Sequence, residues 1–154
     1  MKKILIAAPL YPPEIGGPAQ YVFHLEKEFT ALSYSVRVVK FVDVRRWPSG
    51  IRHFIYFLKI LPSMRRTNWC LALDTFSVGW PAVLAAKILG KKIIIRIGGD
   101  FLWEQYVERT GDLVILHRFY DTCRARWNLK ERIIFRLTRW ILRRASLVVF
   151  STDW

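Results

Sequence analysis

The chain has 154 residues, 53% of them hydrophobic and 15% aromatic, which suits one domain around one sizeable core and excludes a disordered tail. Its formal net charge of +13 points to an anionic partner: nucleic acid, a membrane surface or phosphorylated substrates. Its two cysteines, Cys70 and Cys123, show no metal-ligand spacing, so no metal site is expected; a reduced, cytosolic compartment fits them better than a disulfide framework.

Met1-Lys2-Lys3 followed by Ile4 to Leu10 imitates a secretory signal. The apolar stretch is short, however, Pro9, Pro12 and Pro13 interrupt it, and no small-x-small cleavage site follows. Lys3 to Ala8 therefore reads as a first, buried strand. A first helix runs from Pro18 to about Leu32, and Ser35 to Val42 is a second strand rich in β-branched residues. Trp47-Pro48-Ser49-Gly50 is a turn with Ser49 as helix cap, and the second helix covers Ile51 to Leu61 and stops at Pro62. Trp69 to Leu73 is the third strand; Val78 to Leu89 is the third helix, ended by Gly90. Lys92 to Ile97 is the fourth strand, an irregular stretch continues to about Trp127, a long helix covers Leu129 to Ala145, and Leu147 to Phe150 is the last strand. No run reaches the ~18 consecutive apolar residues that cross a bilayer.

This alternation predicts an α/β fold: a Rossmann-like three-layer sandwich with a mainly parallel central sheet and right-handed crossovers. Ligands of such sheets bind at the strands' carboxyl ends. The loop Tyr11-Pro12-Pro13-Glu14-Ile15-Gly16-Gly17-Pro18-Ala19 comes after the first strand and opens a helix. Gly16 and Gly17 would let a ligand approach the backbone, and the helix N-terminus would favour an anion. Asp74-Thr75-Phe76-Ser77 comes after the third strand, and Gly98-Gly99-Asp100 with Trp103-Glu104 after the fourth. Asp100 is the candidate proton acceptor, with an Asx-turn or helix cap as its competing role. Glu104, one helical turn on, faces the same cleft or else pairs with Arg109. Asp74 is either ligand contact or helix cap, with Ser77 competing for the cap.

His24, His53 and His117 sit beside no nucleophile, so no hydrolase triad is expected. On the long helix, Leu129, Ile133, Leu137 and Ile141 form an apolar stripe widened by Ile134 and Trp140. The other face is basic, against the single acid Glu131. From Arg118 to Arg144 the chain has nine basic and two acidic residues. An ordinary solvated helix face is one reading; an anionic membrane surface, with Trp127 and Trp140 as interfacial anchors, is the other. The second helix is apolar nearly all round, so it must be covered by protein, dip into lipid or form an interface.

Lys3-Ile4-Leu5-Ile6-Ala7-Ala8-Pro9 with Tyr11-Pro12-Pro13-Glu14-Ile15-Gly16-Gly17 resembles the opening of family-4 glycosyltransferases, which have the two-domain GT-B fold. Asp74-Thr75-Phe76-Ser77-Val78-Gly79, Pro81-Ala82 and Arg96-Ile97-Gly98-Gly99-Asp100 with Trp103-Glu104 look like later segments of the same group. The resemblance implies a retaining, metal-independent enzyme without a cofactor. It would transfer a sugar from a nucleotide-sugar donor to a lipid-linked or polysaccharide acceptor at the cytoplasmic face of the cell membrane, in polysaccharide biosynthesis. Gly16 and Gly17 would meet the donor, and Asp100 would be catalytic. Asp74, Thr75, Gly98, Gly99 and Glu104 would bind substrate. Residues 1–154 would then be one truncated N-terminal domain, with the nucleotide-sugar-binding half absent or supplied by a partner chain, and inactive alone.

Two other readings compete. A dinucleotide-binding domain would use Asp43 at the end of the second strand on a ribose, but Gly16-Gly17-Pro18-Ala19-Gln20-Tyr21 is not Gly-x-Gly-x-x-Gly. A non-catalytic membrane-surface or interaction module of Rossmann-like fold would use the basic helix. Nucleic acid is not expected as its partner, because no nucleic-acid motif is present.

Overall fold

A computed structural model describes residues 2–151. Five parallel strands form one sheet in the order β2-β1-β3-β4-β5, with β1 Lys3–Ala8, β2 Ser35–Lys40, β3 Trp69–Ala72, β4 Lys92–Ile97 and β5 Leu147–Phe150. Six α-helices connect them: α1 Gly17–Ala31, α2 Ile51–Arg65, α3 Gly79–Leu89, α4 Phe101–Thr110, α5 Leu116–Thr122 and α6 Leu129–Arg144. The fold is the expected Rossmann-like three-layer α/β sandwich, with every strand pair parallel.

The two faces of the sheet arise from side-chain alternation. Ile4, Ile6, Ala8, Leu71 and Leu73 pack with Val22 of α1 on one side. Leu5, Ala7, Cys70, Ala72, Ile93 and Ile95 pack with α2, α3 and Ile141 of α6 on the other. β1 is buried on both faces, as a central parallel strand must be. A third cluster, built on Leu102, Tyr106, Phe119, Trp127 and Ile134, ties α4 and α5 to α6.

Several boundaries differ from expectation. β2 stops at Lys40, where the chain turns through a 3₁₀ segment at Val42–Val44. α2 does not stop at Pro62 but runs on to Arg65. A proline inside a helix costs about 3 kcal/mol, and burial of Met64 beyond it, worth about 1.5–3 kcal/mol, offsets much of that cost. Gly50, not Ser49, occupies the N-cap of α2, without a side-chain hydrogen bond. The irregular stretch between Phe101 and Trp127 contains two ordered helices.

The apolar stripe of α6 is only partly the predicted one. Leu129 and Ile133 are 74% and 48% exposed, whereas Ile134, Ile141 and Glu131 are buried. Glu131 closes a capping box with Asn128 and accepts two bonds from Arg109 of α4, at 2.8 and 3.1 Å. Pairing with α4 therefore sets which side of α6 faces inward. Trp127 is no surface anchor, being 4% exposed among Phe119, Tyr120 and Phe135.

Candidate functional site

A cleft of about 570 Å³ opens at the carboxyl end of the sheet, between the loops after β1, β3 and β4. It is lined by Gly17 and Tyr21 of α1, by Asp74 and Thr75 after β3, and by Gly98, Gly99 and Glu104 after β4. Parallel order brings these three loops together: β1 lies between β2 and β3, and β4 is the next strand after β3.

Gly16 and Gly17 do different work. Gly16 sits at φ 148°, ψ 155°, a conformation essentially reserved for glycine, and its carbonyl accepts the first helical bonds from Ala19 and Gln20. Gly17 lies at an ordinary φ, and a Cβ built there meets no atom within 4 Å. Beyond its chain neighbours nothing crowds position 17, and Gly17 lines the cleft. Glu14 is on the far side of this loop, paired with Arg45 at 2.8 Å.

Tyr21 carries the Arg96 guanidinium over its ring at 4.0 Å, which anchors a cation on the cleft wall. Glu104 does not pair with Arg109, whose partner is Glu131. Instead its Oε1 stands close over Gly99: a Cβ at Gly99 would come within 2.7 Å of it. Burial, and then the charge of Asp100, push the Glu104 carboxyl above the ordinary glutamate range. Glu104 is thus an exposed, cleft-lining side chain whose carboxyl holds its proton more tightly than an ordinary glutamate.

Asp100 is at the N-cap of α4, where Oδ1 accepts the Trp103 N–H at 2.9 Å and Oδ2 accepts the Tyr120 hydroxyl. Both oxygens are engaged, and Asp100 is not among the residues lining the cleft. Asp74 likewise holds α3: Oδ1 accepts from the Val78 and Gly79 N–H groups at 2.8 and 3.2 Å. Burial raises the Asp74 carboxyl, and these bonds partly counter the rise. Asp43 pairs with Lys59 at the surface and is not among the residues lining the cleft.

Tyr21, Arg96 and Phe101 escaped the sequence reading. Tyr21 and Arg96 were invisible because their contact joins a helix to a strand, and only tertiary structure supplies it. Phe101, stacked on Phe76 at 5.0 Å, extends a line of rings through His53 to Phe41 along this edge. His53 is buried in that line, where burial and then the charge of Arg52 lower its pKa, so it is a neutral packing residue. No cluster of potential metal ligands occurs among the described residues.

No family model matches the chain, and no curated protein matches it. A solved structure that matches is a 2-deoxyribosyltransferase from the psychrotolerant bacterium Bacillus psychrosaccharolyticus, described as a biocatalyst for nucleoside synthesis. It is 17% identical, over 75% of this chain and 78% of that one, with a TM-score of 0.42. That neighbour is not a GT-B glycosyltransferase, so the family-4 resemblance is corrected, and with it the retaining transfer from a nucleotide-sugar. The competing non-catalytic module has no matching family model or curated protein behind it either. At this TM-score the likeness carries no argument about substrate or residues.

Proposed function

We propose that the cleft is an enzyme site of transferase type for a small hydroxylated ligand bearing a planar ring, with Glu104 as its proton-transferring carboxylate. The observation that carries this reading is the position of Glu104 over Gly99 in the cleft that Gly17 and Tyr21 also line, with the Arg96 guanidinium between Tyr21 and Gly98. The ring of the ligand would lie against Tyr21 or Phe101. Ionised Glu104 would accept the proton of a reacting hydroxyl, and Arg96 with the N-terminus of α1 would meet an anionic group. Asp100 acts from behind, through its charge, and by holding the first turn of α4 that carries Glu104. The chemistry is proton transfer at a carboxylate and calls on no metal or cofactor. We read the protein as working at the cytoplasmic face of the cell membrane, on the strength of its excess positive charge.

Titrating a panel of nucleosides and free sugars, monitored by amide chemical shifts, tests the assignment. Saturable shifts at Gly17, Gly99 and Phe101 are expected for at least one member. Tyr21→Ala should weaken binding about tenfold, the worth of one stacking partner, while Glu104→Gln should preserve binding and abolish turnover. Shifts confined to other surfaces would overturn the site.

A further inference from the structure

We propose that the outer face of the α2–α3–α6 layer is a docking surface for an anionic phospholipid bilayer. The inference is independent of what the cleft binds. These helices cover one face of the sheet and carry ten lysines and arginines, three on α2, one on α3 and six on α6. Against them stands a single carboxylate, Glu131, which is 2% exposed and consumed by Arg109 and Asn128. Acidic residues gather elsewhere, for example Glu26 and Glu28 on α1 across the sheet, and Glu104 and Glu108 on α4. Most of the chain's surplus positive charge therefore lies on these three helices.

The cations are not neutralised locally. Lys59 pairs with Asp43, but Arg136, Arg139, Arg143 and Arg144 have no carboxylate partner among the described residues. These four arginines surround Trp140 in a shallow depression of about 400 Å³, and Lys87 reaches from α3 to 6.0 Å from the Trp140 ring. Like charges at i,i+3 and i,i+4 on one helix repel, so the bare face is under a strain that an anionic surface relieves. Arg143 and Arg144 are also favoured by the helix dipole, but Arg136 and Arg139 lie too far from the end for that.

The second half of the pattern is apolar. Ile51, Phe54 and Leu58 stand at i, i+3 and i+7 on α2 and are 51%, 59% and 50% exposed; Ile88 on α3 is exposed too. Arg65 and Arg66 flank a further depression with Leu61, Pro62 and Leu89. Cations set beside exposed large apolar side chains are the composition of a helix lying in a bilayer interface. A nucleic acid would be served by the arginines and would leave Phe54 and Leu58 in water, which is why lipid is the occupant chosen. No helix among the described residues is long and apolar enough to cross a membrane, so this contact is lateral. With the layer lying flat, the cleft at the sheet edge opens along the bilayer surface.

Co-sedimentation with phosphatidylglycerol–phosphatidylcholine vesicles, pure phosphatidylcholine vesicles and a duplex oligonucleotide, each at low and high salt, is the test. Binding to the anionic vesicles alone, weakened by salt, is expected. Arg136→Glu with Arg139→Glu and Arg143→Glu should lower partitioning at least about tenfold; lysine at the same three positions should retain it. Phe54→Ser with Leu58→Ser alters no cation, and should remove the binding that survives high salt. It decides the matter even if charge reversal unfolds α6. Absence of vesicle binding, tighter binding to the oligonucleotide, or unchanged partitioning in either folded variant overturns the proposal.

Discussion

Gly17→Ala separates what the fold needs from what the cleft needs. Position 17 has an ordinary φ at the first residue of α1, and a Cβ there meets nothing within 4 Å. Replacing glycine by alanine at a compatible backbone stabilises by about 0.4–1 kcal/mol, mainly by restricting the unfolded chain, and Pro18, which disfavours helical backbone at the residue before it, takes part of that gain away. For a chain of 154 residues, about 2–4 °C accompanies each kcal/mol, so Tm should rise, by no more than about 4 °C. Gly16→Ala is the counterpart. At φ 148°, ψ 155° alanine is forced into a region that costs about 1–3 kcal/mol, and Tm should fall by about 2–12 °C. Thermal melts of the two variants, beside ligand titration, form the assay. Gly17→Ala should be more stable and bind less tightly, because its methyl projects into the space left for ligand. A fall in Tm for Gly17→Ala, or unaltered affinity for a ligand that shifts the Gly17 amide, would refute the reasoning.

Further consequences can be measured directly. Gly99→Ala places a Cβ 2.7 Å from Glu104 Oε1, a flexible side-chain end, so stability should change by less than about 1.5 kcal/mol, the cost of an off-rotamer glutamate, while turnover falls. Because the Glu104 pKa is raised, the carboxyl holds its proton to higher pH folded than unfolded. The acid limb of activity should therefore lie above the ordinary glutamate range and vanish in Glu104→Gln. Asp74→Ala should lose about 1–3 kcal/mol, because the buried Val78 and Gly79 N–H groups at the start of α3 are left without their acceptor, seen as a lower denaturation midpoint. Glu131 runs the other way. Burial alone would raise it, but bonds from Arg109 and Asn128 with the charges of Arg109 and Lys130 outweigh that and hold it low. Its stabilisation is present above the unfolded glutamate pKa and lost as pH falls through the lower folded value. Glu131→Gln should accordingly flatten acid denaturation in that window.

The strand cores were legible because buried parallel strands are short apolar runs, as at Ile4–Ala8 and Lys92–Ile97, and glycines mark the loops after them. Boundaries failed where burial overrode local preference: Pro62 reads as a stop, yet Ser63 and Met64 are needed in the core, so α2 continues. Asp100 and Asp74 read equally well as ligands or caps, because a carboxylate before a helix has the same spacing in either role. Only the folded arrangement shows their oxygens bonded to backbone N–H groups, and leaves Glu104 facing the cleft.

Composition and periodicity alone determined the α/β architecture, the three loops that meet at one sheet edge, and the excess of positive charge; each is a property of local order along the chain. Tertiary structure decided the rest. It turned α6 so that Glu131 faces inward beside Ile134 and Ile141 of the expected stripe, leaving Leu129 and Ile133 of that stripe exposed, because a buried carboxylate must meet Arg109 of α4. It also put Tyr21 beneath Arg96 and gathered the cations of three helices onto one face. Such pairings join residues far apart in sequence, and nothing in the chain's local pattern encodes which of them will touch.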